Sequence, residues 1–330
     1  MSFTKSMGAS TLLALGLSTG PAAASDIIHD AEHYVLLAQY EDQWAQQDSE
    51  LNRKLAALRE KHGTPPNIIH IMWDDTPVGE VGIPHLQANR GFKTPNMNQF
   101  ATEGIYFSRM YTEPSCTPSR AAVMTGRHAI RNGMYNVGFP YEYGGLDADE
   151  VTIGEVLGEA GYATAFYGKA HLGDVESSYL HKQGFDEAHW SPYNQVPSLY
   201  VPRGQRGALV AGTMFPEMFP EDPYDMDKGW RPRGYIWSLE GTKGGPTREW
   251  TYGDDQGRPP FDEEGYYKLE QVWQDKTIAF MKKSAGANKP FFIAYWPNIN
   301  SFLNIRPTEQ PSTVSYGVLQ EGLVNIDRFV

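Results

Sequence analysis

Apolar residues recur along the chain with two periods, and the points where one period gives way to the other outline an alternating fold. From about Ile27 to Lys61 the chain is polar and free of Pro and Gly, with Leu51, Leu55 and Leu58 at helical spacing. This predicts one or two helices running up to His62-Gly63. Pro65-Pro66 breaks the pattern, and Asn67 to Trp73 follows as a nearly unbroken apolar run suited to a strand buried on both faces. The run stops at Asp74-Asp75. Beyond it the pattern predicts a helix from Asn96 to Gly104, a strand at Ile105-Tyr106-Phe107, and a helix from Ala121 to Arg127 opened by Pro118. A helix from Ile153 to Ala160, closed by Gly161, leads into a strand from Tyr162 to Tyr167. A helix from Tyr267 to Lys283 and an apolar strand from Phe291 to Tyr295 follow later.

Helix and strand alternate, which predicts an α/β fold with a mixed, mostly parallel sheet sandwiched by helices. Residues 190–265 are dense in Pro, Gly, Trp and Tyr and read as a loop-rich insertion of the kind that walls a pocket. Gly322 to Val330 reads as the start of an amphipathic helix without a cap or a Gly stop, so the domain is expected to be incomplete at its C-terminus.

The first residues change the compartment in which this fold is expected. Lys5, the apolar run Ala9 to Leu17 and the small residues Ala22, Ala23 and Ala24 have the layout of a cleavable secretory signal over residues 1–24. The remainder then divides into an N-terminal helical extension at 25–64 and a larger domain at 65–330. An exported product, periplasmic or secreted, is implied, and no other apolar run is long enough for a membrane span. The formal net charge of -12 argues against nucleic acid as a partner. An anionic substrate would need a local cluster of cations.

Cys116 is the single cysteine of the 330 residues, so no internal disulfide can form. A lone thiol in an oxidising compartment is ordinarily a small buried hydrophobe unless its chemistry is used. Cys116 stands just before Pro118 at the expected first turn of a helix, where free N–H groups and the helix dipole favour an anion. Arg120 adds a guanidinium able to grip a tetrahedral oxyanion. Arg127 either reaches back toward the thiol or satisfies carbonyls at the helix end, and His128 reads as structural.

Two more strand ends bring chemistry to the same edge of the sheet. Asp74-Asp75 ends the first core strand, where open α/β sheets place their ligands. Two adjacent carboxylates call for a compensating charge, and hard oxygen donors favour Ca²⁺ or Mg²⁺ over Zn²⁺. Taken alone, the pair is equally at home on an exposed turn. Gly168-Lys169-Ala170-His171 follows the Tyr162–Tyr167 strand, with Lys169 as a charge clamp and His171 as a proton donor or acceptor.

These residues carry a resemblance to the type I sulfatases, the arylsulfatase family of the alkaline phosphatase-like superfamily. Cys116-Thr117-Pro118-Ser119-Arg120 through Thr125-Gly126-Arg127 matches the family's Cys-x-Pro-Ser-Arg and Thr-Gly-Arg signature. Asn67 to Asp75 is similar to its first strand with paired calcium ligands, and Gly168 to Gly173 to its Gly-Lys-x-His-Leu-Gly. The resemblance runs from about Pro66 onward and makes residues 65–330 a partial N-terminal catalytic domain.

The resemblance implies that a formylglycine-generating maturation enzyme oxidises Cys116 to Cα-formylglycine. The hydrated aldehyde would attack sulfur, release the alcohol and then expel sulfate. It also implies a Ca²⁺ site from Asp74, Asp75 and the residue at 116, with Arg120 anchoring the hydrate, Lys169 neutralising sulfate and His171 assisting the second hydroxyl. The implied substrate is a small-molecule or glycan sulfate ester. Two departures stand out: Pro297-Asn298 replaces the family's Pro-His, and the Asp-Asn-Gly that completes its calcium site does not occur. A phosphonate or phosphate monoester hydrolase on the same scaffold, or an inactive anion-binding fragment, are the alternative readings.

Overall fold

The computed structural model describes residues 31–76, 79–90, 93–138, 144–193, 238–250, 263–298 and 327–329. The chain divides into two compact units, Met1–Gly63 and Thr64–Val330. In the first, α1 (Ala31–His62) is one uninterrupted helix ending in the basic turn Arg59, Lys61 and His62, which complements the negative pole of the helix dipole. The signal-like residues 1–24 lie outside the described residues.

The second unit is built on a six-stranded sheet in the order β1-β6-β2-β3-β4-β5. Its strands are β1 (Ile68–Ile71), β2 (Ala163–Lys169), β3 (Glu187–Ser191), β4 (Leu239–Thr242), β5 (Arg248–Glu249) and β6 (Phe291–Trp296). β1, β6, β2 and β3 run parallel, while β4 and β5 add an antiparallel edge. A mixed, mostly parallel sheet is therefore present, as the alternating pattern predicts.

Helices α2 (Pro84–Arg90), α3 (Pro95–Glu103), α4 (Cys116–Thr125), α5 (Ala129–Asn132), α6 (Ile153–Glu159) and α7 (Glu263–Gly286) complete the unit. The central strands β2 and β6 are buried at every position, so their apolar runs feed two cores. Alternate residues Ala165, Tyr167, Ile293 and Tyr295 meet Leu269, Trp273 and Phe280 of α7. The intervening Phe166, Phe292, Ala294 and Trp296 join Ala121 and Met124 of α4, with Ile153 and Leu157 of α6 packed against them. Period-two alternation in the strands thus places helices on both faces.

The structure corrects three readings of the pattern. Ile105-Tyr106-Phe107 forms no strand, and these residues are 83%, 45% and 70% exposed. Three apolar residues in a row satisfy a strand's composition, but a strand also needs a partner, and none of the described strands pairs here. The helix expected from Ala121 starts at Cys116, so the cysteine is itself the first helical residue. The loop-rich 190–265 stretch contains β4 and β5 and the end of β3. Their short polar sequences, Leu-Glu-Gly-Thr and Arg-Glu, carry no alternation to reveal them. The rest of that stretch, 194–237 and 251–262, lies outside the described residues.

Residues 322–326 and 330 also lie outside them, but Asp327 to Phe329 is helical and docked. Asp327 accepts hydrogen bonds from the backbone N–H groups of Met97 (2.9 Å) and Asn96 (3.2 Å). Those are first-turn donors of α3, whose N-cap residue Thr94 makes no capping bond of its own. A residue 231 positions away thus caps the helix. Phe329 packs on Tyr295, with centroids 4.6 Å apart.

Candidate active site

The C-terminal ends of β1 and β2 and the N-terminus of α4 converge on one buried carboxylate. Asp74, three residues past the end of β1, is 3% exposed. Its Oδ1 accepts from Arg120 Nη2 at 2.9 Å and its Oδ2 from Lys169 Nζ at 2.6 Å. Arg120 and Lys169 are themselves 1% and 0% exposed. Burial alone would raise the Asp74 carboxyl, but the charges and hydrogen bonds of Lys169 and Arg120 outweigh it and hold the group well below the usual carboxylate range. The three side chains form one charge-assisted unit.

Each member is placed by the local fold. Lys169 is the last residue of β2, inside the strand rather than in the loop after it. Gly168 before it pairs in register with Trp296, and a Cβ at Gly168 would lie 1.9 Å from the Trp296 carbonyl oxygen, so only glycine fits. Arg120 lies one turn into α4. Its Nη1 donates to the Lys169 carbonyl at 2.5 Å, and its guanidinium carbon lies 5.1 Å from the Trp296 ring centroid. Both amino groups of Arg120 are therefore engaged within the protein, and its role here is to hold Asp74 and β2 together.

Cys116 is half-buried at the first position of α4, preceded by the extended Ser115. Ser119 closes this turn by donating to the Glu113 carbonyl at 2.9 Å. Thr117 Oγ1 accepts the Gly138 N–H at 3.0 Å, and the carbonyl of the same residue, in the next peptide, lies 2.8 Å from His171 Nε2. A carbonyl only accepts, so Nε2 carries the hydrogen and Nδ1 holds the lone pair. Among the described residues Nδ1 is buried and has no hydrogen-bond partner. Burial, then Lys169, pushes the His171 pKa down to about 3, keeping the ring neutral. A neutral imidazole with an unused acceptor can take a hydrogen bond from a hydroxyl beside it.

Other predicted residues fall outside this cluster. The Arg127 side chain turns to neither the cysteine nor the carbonyls at the end of α4. It bonds Glu150 at 2.5 Å and the Arg131 carbonyl at 3.3 Å. His128 pairs with Glu113 at 2.8 Å, in keeping with a structural role. Asn298 is buried past β6, where its N–H donates to Glu270 Oε2 at 3.0 Å; Glu270 also accepts from the Tyr295 hydroxyl. Sequence reasoning missed Glu270, whose only signal is an acidic residue on the core-facing side of α7. A cavity of about 560 Å³ beside the site is lined by Trp73, Met110, Tyr111, Glu113 and Val123.

Asp75 follows in a left-handed conformation, φ 48°, which asparagine and aspartate tolerate better than most residues. Burial and the neighbouring Asp74 charge raise its carboxyl. The two hard carboxylates suit a divalent cation such as Ca²⁺. Among the described residues no cluster of three or more His, Cys, Asp or Glu side chains is arranged to hold a metal. Asp74 and Asp75 thus fit part of such a site.

Residues 66–300 match the Sulfatase family, most of the chain. The chain belongs to this family. It is 30% identical over 247 residues to the N-acetylgalactosamine-6-sulfatase of Canis lupus familiaris, covering 70% of this chain and 39% of that protein. Human arylsulfatase A is 43% identical over 134 residues, covering 39% of this chain and 26% of that one. Among solved structures, the PsFucS1 sulfatase from Pseudoalteromonas sp. superposes with a TM-score of 0.67 at 24% identity, covering 86% of this chain and 54% of its own. The fold is that of the alkaline phosphatase-like sulfatases. The chain spans well under half the length of these curated relatives. No helix among the described residues is long and apolar enough to cross a membrane.

Proposed function

We propose that this sulfatase-family chain carries the catalytic centre of a sulfuric ester hydrolase, with Cys116 as precursor of a Cα-formylglycine nucleophile. The observation that carries the reading is the convergence on Asp74 of Lys169 and of Arg120, which stands one turn after the cysteine that opens α4. Overall, water adds across the ester, giving the alcohol and hydrogen sulfate. The formylglycine, made by a dedicated maturation enzyme and hydrated to a diol by one water, would supply the hydroxyl that attacks sulfur.

Asp74 and Asp75 would hold Ca²⁺, with the group at 116 and donors outside the described residues completing its shell. When bound, that ion polarises sulfate oxygens. Asp74 and Asp75 balance Arg120 and Lys169 in charge, so a divalent cation would make the centre net positive and suited to an anionic ester. Lys169 orients Asp74 and lies within the same buried unit where sulfate charge would be met. His171, neutral and with Nδ1 unused, would accept a hydrogen bond from the second hydroxyl and orient it as sulfate leaves. Asn298 can donate a hydrogen bond but no proton, so a phenol, which leaves without protonation, is the easier leaving group.

The names of the dog and human relatives support a sulfated sugar or aryl sulfate as substrate. The signal-like residues 1–24 support export to the periplasm or the medium. The deciding experiment is peptide mass spectrometry of Cys116 in protein from its own host, together with aryl sulfate hydrolysis. A loss of about 18 Da from the thiol is the change expected for formylglycine. An unmodified thiol in a host that matures other sulfatases overturns the proposal.

A further inference from the structure

The apolar run of β1 is interrupted by one polar side chain, His70, set among Ile68, Ile69 and Ile71. Its strand partner in β6 is Ala294, and two residues further along β6 stands the fully buried Trp296. The Trp296 indole Nε1 donates to His70 Nδ1 at 2.9 Å, and the rings meet edge to face at 5.9 Å. An indole N–H only donates, so His70 Nδ1 is unprotonated and the neutral ring carries its hydrogen on Nε2. Burial, then the nearby Arg120 charge, lowers the His70 pKa, in keeping with this tautomer.

The same indole supports Arg120, whose guanidinium carbon lies 5.1 Å from its centroid. Arg120 donates to Asp74 and to the Lys169 carbonyl, while its buried Nε has no acceptor among the described residues. The guanidinium is thus fixed at its two amino groups by hydrogen bonds and across its plane by the ring. For packing alone, an aliphatic residue at 70 would serve, because the half-buried imidazole must be partly desolvated. What an aliphatic residue cannot do is fix the orientation of the indole.

We propose that His70 and Trp296 are positioning residues for Arg120. The imidazole locks the indole, the indole face supports the guanidinium, and the guanidinium sets the carboxylate of Asp74 against Lys169. The consequence for turnover rests on the sulfatase reading, whereas the geometric chain does not. Nuclear magnetic resonance of the full chain tests that geometry through the Arg120 δ-protons, which the Trp296 ring current shifts upfield.

His70→Leu is expected to lose most of that shift while the melting temperature stays near wild type, His70→Gln to restore it by offering an acceptor, and Trp296→Leu to abolish it. An unchanged shift in His70→Leu, or Arg120 resonances indifferent to Trp296→Leu, overturns the proposal. With an aryl sulfate, His70→Leu is expected to lower kcat roughly tenfold at unchanged KM, with recovery in His70→Gln. An unchanged kcat overturns the catalytic consequence. Wild-type protein without sulfatase activity would sink the proposed function and leave the resonance test to decide the geometry.

Discussion

Arg120 Nη2 lies 2.9 Å from Asp74 Oδ1 in a setting that leaves the two side chains only 1% and 3% exposed. Lys169, equally buried, takes the other oxygen. Removing the carboxylate would strand two cations where water cannot reach them. Asp74→Ala is expected to cost about 3–5 kcal/mol, the penalty typical of breaking a buried pair. Urea denaturation of the full chain measures it, and a loss below about 1 kcal/mol, the level of an exposed ion pair, would refute the buried network.

Thr117 occupies the variable position of Cys-x-Pro-Ser-Arg, yet its hydroxyl anchors the N–H of Gly138, the residue whose carbonyl engages His171. Thr117→Val keeps the shape and removes the acceptor, freeing Gly138 to shift and with it the carbonyl that holds His171. The expected result is a kcat for aryl sulfate lowered roughly tenfold, with Thr117→Ser near wild type. Equal rates in all three proteins would show that Gly138 is held by other means.

How far the site could be read from sequence follows from what kind of fact each residue represents. Asp74, Cys116, Lys169 and His171 sit at ends of strands or helices that periodicity locates, so their shared edge was legible. The use of Arg120 was not. A cation near a helix N-terminus reads as a grip for an external anion, and only the packing of β1 beside α4 reveals that Asp74 occupies it first. Ile105 to Phe107 failed in the opposite sense, because apolar composition gives no information about whether a partner strand exists. β4 and β5 were invisible because two to four mostly polar residues have no period to detect.

The α3 cap belongs to the same class of fact, since no local sequence signal links Asp327 to Asn96 and Met97. Asp327→Ala removes an acceptor shared by two first-turn N–H groups. It is expected to cost about 1 kcal/mol, within the range for a lost N-cap, and Asp327→Asn less, since its amide oxygen still accepts. Denaturant midpoints of the two variants check the order. A silent Asp327→Ala would mean that water satisfies α3 equally well.

His189 makes an acid-stability prediction that the catalytic proposal does not touch. It is fully buried on β3, with its ring 5.5 Å from Trp250 and 6.1 Å from Trp273. Among the described residues neither ring nitrogen has a hydrogen-bond partner. Burial, then the charge of Lys276, pushes its pKa down to about 3 from 6.5. Between those values the unfolded chain binds a proton that the folded chain refuses, so acidification favours unfolding. The native state should therefore lose about 1.4 kcal/mol per pH unit from this residue as pH falls below about 6.5, until the folded imidazole itself titrates. His189→Phe leaves an aromatic ring between the two tryptophans and deletes the titration. It should match or exceed wild-type stability at pH 7, since two unsatisfied polar atoms disappear, and its stability should fall less steeply between pH 6.5 and 4. Urea titrations across that range decide the matter: parallel slopes in the two proteins would mean that His189 is protonated in the folded chain and has a partner for its charge.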